Sequence, residues 1–263
     1  MKTMMVTLIG LFFCIMPTLA QEDSFIAYGE TVQGEITVGE YEQLYGFKGT
    51  AGDLIRLALV PNLEYDAYNW SNWRQPEILL LDRTMNVIVS LHAHESAVLI
   101  HELAETGIYH VIATGWGGRS EDNVGEFELS LERIPFLVDG EVADCEASNQ
   151  LGKHYAVKTD SDFQITYEHI EGAFRPEVSV NVIADDPYSC GIDTPNCSSD
   201  ANGSNLHDVA VLSGSWLDSG VLEVKAQSAA NGLFIVQVAK NRWDYRHENE
   251  SATCAITLNL SDS

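Results

Sequence analysis

The sequence predicts an all-β protein: two tandem antiparallel β-sandwich domains behind an N-terminal signal peptide. Three observations lead there. Short runs alternate apolar and polar residues, as in Val178, Val180 and Val182 against Glu177, Ser179 and Asn181. Gly, Asn and Asp cluster between the runs, as turns require, and no strand–helix–strand alternation interrupts them. The chain also matches itself, block by block, in the same order.

The leader comes first. Residues 1–20 carry Lys2, an apolar run from Val6 to Met16, and small residues near Thr18-Leu19-Ala20. That is the pattern of a secretory signal cut after Ala20, and the run is too short to span a bilayer comfortably. Phe13 precedes Cys14, which argues against a lipoprotein cleavage site. No later segment is apolar enough to cross a membrane. A secreted or periplasmic location is expected.

The repeat sets the domain limits. "YGETVQGEI" (28–36) aligns with "DGEVADCEA" (139–147), and "YEQLYGFKGTAGDLIRLAL" (41–59) with "LGKHYAVKTDSDFQITYEH" (151–169). "PEILLLD" (76–82) aligns with "PEVSVNV" (176–182), Gly107 with Gly232, and "FELSLER" (127–133) with "CAITLNL" (254–260). The domains are therefore 21–134 and 135–263. One stretch, "ESAVLIHELAET" (95–106), also suits an amphipathic helix. Its partner, "SGVLEVKAQSAAN", reads as strand, and the repeat favours strand in both. Each copy carries a private insertion: the aromatic "PNLEYDAYNWSNWRQ" (61–75) and the acidic "DDPYSCGIDTPNCSSDANGSN" (185–205).

These blocks resemble the bacterial pre-peptidase C-terminal domain family. "GETVQGEI", Tyr45-Gly46-Phe47, Ala51-Gly52-Asp53, "LLLDRTMN" (79–86), "AETGIYHVIATG" and "GEFELSLE" follow its pattern through the first copy, and the second is divergent, with Phe234 where the first has Tyr109. The resemblance implies a jelly-roll-like sandwich, export, and a non-catalytic role beside secreted hydrolases. The family's motifs are structural glycines and strand patterns and imply no catalytic residues.

Composition narrows the partners. The chain has 39 acidic residues against 14 basic ones, a net charge of −25. Nucleic acid and anionic membranes are bound by cationic surfaces, so neither is an expected partner. Export favours disulfides among the four cysteines after the leader, with Cys190–Cys197 closing the acidic insertion and Cys145–Cys254 left to pair. Their spacing lacks the paired clips of a zinc site.

Candidate chemistry is sparse. No G-x-S-x-G or H-E-x-x-H motif occurs, and no enzymatic activity is expected. The rival reading is a hydrolase using a metal or a nucleophile without a motif, and a third is a structural envelope protein. In an extended "HAHE" (92–95), His92 and His94 share a side and could take a transition metal with a third ligand from Glu95 or His101. The alternative is two solvent-facing histidines. No cofactor is expected, although Asp185, Asp186 and Asp193 in the acidic insertion offer oxygen ligands suited to Ca²⁺. The strongest binding candidates are Tyr65, Tyr68, Trp70 and Trp73. Aromatic faces stack on sugar rings or fill protein pockets, so the expected partner is an extracellular glycan or protein. The alternative is that these rings fold back on their own sandwich.

Overall fold

The computed structural model describes residues 24–62, 75–93, 96–115, 124–147, 151–172, 174–183, 206–212, 218–229, 231–240 and 250–261. These residues are almost all strand, in four sheets.

The first nine strands are β1 (Ser24–Phe25), β2 (Glu30–Ile36), β3 (Glu42–Gly49), β4 (Leu54–Pro61), β5 (Pro76–Leu81), β6 (Val87–His92), β7 (Ala97–Glu102), β8 (Gly107–Gly115) and β9 (Gly125–Arg133). They form two sheets, β1-β3-β8-β5-β6 and β2-β9-β4-β7, antiparallel except for the β1–β3 pair. Alternate residues point inward, and Tyr45, Phe47, Tyr109, Phe127, Leu57 and Leu129 build the core between the sheets. Phe47 and Tyr109 are stacked register partners, with ring centroids 5.5 Å apart. Gly34 lies where a Cβ would run into Phe127, Gln43 and Tyr45.

The remaining strands are β10 (Val142–Ala147), β11 (Lys153–Lys158), β12 (Phe163–Gly172), β13 (Glu177–Ile183), β14 (Leu206–Leu212), β15 (Ser219–Val224), β16 (Leu233–Ala239) and β17 (Ala252–Leu260), with one 3-10 turn at Ala226–Ser228. Their sheets are β11-β16-β13-β14 and β10-β17-β12-β15. The strand order is that of the first half, except that β1 has only an isolated bridge at Phe136 as its counterpart. Cys145 and Cys254 are register partners on β10 and β17 and are disulfide-bonded, with Cα atoms 4.9 Å apart.

The equivalence extends to single hydrogen bonds. Gly29 donates to the Leu131 carbonyl and Gly140 to that of Leu258, both at 2.8 Å. Ile26 donates to Gly46 and Leu137 to Ala156. Phe25 sits opposite Gly46 on β3, and Phe136 opposite Ala156 on β11. Even the β-bulge recurs, after Leu80 in β5 and after Val180 in β13.

The structure corrects the alignment at one place. The sequence blocks set Asp53 against Phe163, but the registers make Ile55 its equivalent. Ile55 faces Arg133 on β9, while Phe163 faces Leu260 on β17. The turn before β12 is two residues shorter than the turn before β4. A slip of two keeps every side chain on its face, so the apolar pattern does not reveal it. The ambiguous stretch at 95–106 contains β7 and no helix.

Candidate functional site

Leu54, Arg56 and Ala58 point away from the first core yet are buried, because β4 is covered on both faces. The cover is the outer face of the sheet β11-β16-β13-β14. Leu54, Ile100 and Ile134 pack against Ala156, Leu206, Leu233 and Ile235. The connecting segment is fixed too: Ala156 donates to the Pro135 carbonyl, and Leu137 to that of Ala156, both at 2.8 Å. Lys158 pairs with Glu102 across the interface at 2.9 Å.

Beside this apolar contact lies a cleft of about 740 Å³, lined in part by Tyr28, Arg56, Glu132, Arg133, Lys153 and His154. Arg56, 4% exposed, pairs with the half-exposed Glu132 at 3.1 Å. Burial pulls the guanidinium pKa down and Glu132 opposes this. Asp53, also buried, accepts from Tyr28 Oη at 3.0 Å, from the Thr50 amide at 3.0 Å and from Arg133 Nε at 3.0 Å. Burial, and then the hydrogen bond to Asp53, raise the Tyr28 pKa.

His154 is the unusual member. It is 3% exposed, and neither ring nitrogen has a hydrogen-bond partner. Burial, reinforced by the Arg56 charge, holds its pKa well below the ordinary value. The imidazole is therefore neutral at pH 7. Among the described residues no hydroxyl lies within hydrogen-bond reach of it. What the cleft offers is fixed charge pairs and unsatisfied polar atoms. Apart from Asp53, which the sequence marked only as part of the Ala51-Gly52-Asp53 turn, none of these residues was singled out from the sequence. The available signal was Arg56 itself, a charge set in the apolar run "LIRLALV" (54–60).

The residues that were singled out lie elsewhere. Tyr65, Tyr68, Trp70, Trp73, His94, Asp185, Asp186, Asp193, Cys190 and Cys197 fall outside the described residues. His92 closes β6 opposite Glu77, whose carboxyl pKa burial pushes up. His101 lies on β7, four residues along from Ala97. Among the described residues no three His, Cys, Asp or Glu side chains gather in a metal-binding arrangement, and no helix is long and apolar enough to cross a membrane.

The strand registers do gather the ends of three segments. Pro61 faces Phe127, Leu59 faces Ala97, Pro76 faces Gly115 and Glu77 faces His92. The described strand ends that flank 63–74, 94–95 and 116–123 therefore lie at the same end of the first sandwich.

No family model and no curated protein matches the chain. Among solved structures, it is similar to the pre-peptidase C-terminal domain of a collagenase from Bacillus anthracis. The identity is 18%, over 42% of this chain and 95% of that one, with a TM-score of 0.31. It is also similar to the CUB1-EGF-CUB2 domain of human MASP-1/3, at 7% identity, 87% and 99% coverage and a TM-score of 0.23. A third is the M60 catalytic domain with two CBM51 domains of Clostridium perfringens ZmpB. There the values are 8% identity, 89% of this chain and 34% of that one, and a TM-score of 0.25.

Proposed function

We propose that this chain is an exported, non-catalytic binding or accessory protein that recognises an extracellular polysaccharide, a cell-envelope component or a partner protein. On this reading it is a tandem pair of pre-peptidase C-terminal-like modules, 21–134 and 135–263, with the second copy divergent. The leader is cut after Ala20, and mass spectrometry of the mature protein should place Gln21 first. The shared strand order and the motifs of the first copy support the tandem assignment. The Cys145–Cys254 disulfide supports an oxidising compartment.

One observation favours a binding end. The aromatic insertion with Tyr65, Tyr68, Trp70 and Trp73 is anchored at the strand ends that also anchor the segments bearing His94 and Trp116. Recognition residues are commonly carried on segments that join the strands of a rigid scaffold. Glycan-array and pull-down assays on the mature protein test this. Trp70→Ala together with Trp73→Ala should abolish the detected interaction, and intact binding would refute the aromatic-loop reading. Binding is expected to need no metal, so chelation should leave it unchanged.

A further inference from the structure

The contact that joins the two sandwiches uses one face of each. On the second sandwich it is the outer face of β11-β16-β13-β14, through Ala156, Leu206, Leu233 and Ile235. The equivalent positions on the first sandwich are Gly46, Met85, Ile108 and His110, by the matching registers of β3, β5, β6 and β8. Among the described residues no sheet of this chain covers that face. The Phe25 ring lies over Gly46, 3.2 Å from where a Cβ would stand. Around it Phe25 is 53% exposed, Met85 45%, Val87 52%, Ile88 39% and Ile108 41%. Five of the thirteen exposed large apolar side chains among the described residues thus lie on or beside this face, and two of them, Met85 and Ile108, stand where Leu206 and Leu233 are covered on the second sandwich. A concentration of this kind marks an interaction surface.

We propose that this face binds a second copy of the chain, patch to patch. A head-to-tail contact would require the opposite outer face of the second sandwich to act as β4 and β7 do in the first. There the equivalents of Leu54 and Ile100 are Asp162 and Glu223, by the registers of β12 with β17 and β15. Burying those carboxylates against Ile108 and Met85 would leave charge without a partner. A self-complementary contact about a two-fold axis avoids this. The borders suit it. Lys48 is the register partner of Ile108, Arg83 lies in the turn carrying Met85, and the Asp82 carboxylate is taken up by Thr84 and Asn86. The acid excess that drives copies apart is locally offset here. The 31 strand residues of this sheet, about 3.3 Å apart along strands about 4.8 Å apart, give roughly 490 Å² per copy, or about 980 Å² in total. That lies at the ~1,000 Å² floor expected of a specific interface, so the dimer should be weak.

Sedimentation velocity of the mature protein from about 1 μM to about 1 mM tests this. A reversible dimer is expected within that range. Ile108→Asp and, separately, Ile88→Asp should raise its dissociation constant at least about tenfold, while Val221→Asp on the opposite outer face leaves it unchanged. Circular dichroism identifies any variant that fails to fold, and either of the two substitutions then suffices. A monomer throughout the range would overturn the proposal. So would a dimer indifferent to both patch variants, or one broken by Val221→Asp.

Discussion

Lowering the pH from 7 to 5 should weaken this protein through His154. In the unfolded chain the imidazole titrates near pH 6.5. In the fold its pKa lies well below that, because it is buried and then because Arg56 stands near it. Below pH 6.5 the unfolded state therefore binds a proton that the folded state refuses. Stability falls as pH falls through this window, with a limiting slope of about 1.4 kcal/mol per unit. From pH 7 to 5 the loss integrates to at most about 2 kcal/mol. Asp82 and Asp162, whose pKa values are lowered by hydrogen bonds, lose their contributions only at still lower pH. His101, also lowered by burial, acts in the same direction, so a variant must isolate His154. His154→Leu removes two unpartnered nitrogens from a buried position and should be more stable than the wild type at pH 7 by about 1–2 kcal/mol. Urea unfolding of both proteins at pH 7, 6 and 5 measures the effect, and their separation should widen by up to about 2 kcal/mol on acidification. Parallel pH dependences, or a His154 ring titrating near 6.5 by NMR in the folded protein, would refute the reasoning.

Three further outcomes follow from packing and covalent structure. Gly34→Ala forces a Cβ into Phe127, Gln43 and Tyr45 and should cost about 1–3 kcal/mol in chemical denaturation. Replacing both Cys145 and Cys254 by Ser frees a loop with a sequence separation of 109 and should cost about 4 kcal/mol, measured as the fall in urea midpoint. Leu54→Asp places a charge in the contact with Ala156 and Leu233. It should separate the two sandwiches, turning a single unfolding transition into two by calorimetry, and a single unshifted transition would count against that contact as the source of coupling.

Much of the fold was legible because β-structure writes itself in a period of two. The alternation in "PEVSVNV" fixed which residues face the core, and the self-match resolved 95–106 as strand where periodicity alone left helix open. The same period hid the two-residue slip between β4 and β12. Both registers present the same apolar set inward, so only the ladder of hydrogen bonds distinguishes them. The site was less legible. The sequence drew attention to aromatic and acidic insertions, which stand out by composition. Arg56, Glu132 and His154 do not, since each is one polar residue within an ordinary strand.

By itself the sequence determined the all-β class, the inward face of each strand and the order of equivalent blocks, because these depend on neighbours along the chain. Tertiary structure decided which outward faces are buried. Ala156 and Gly46 occupy equivalent outward positions, yet one lies in the contact between sandwiches and the other under an exposed Phe25 ring. Alternation tells a strand which of its faces meets its own core. Whether the other face meets water or a second sheet depends on how the connecting segment, held from Pro135 to Leu137 on β11, sets one sandwich against the next.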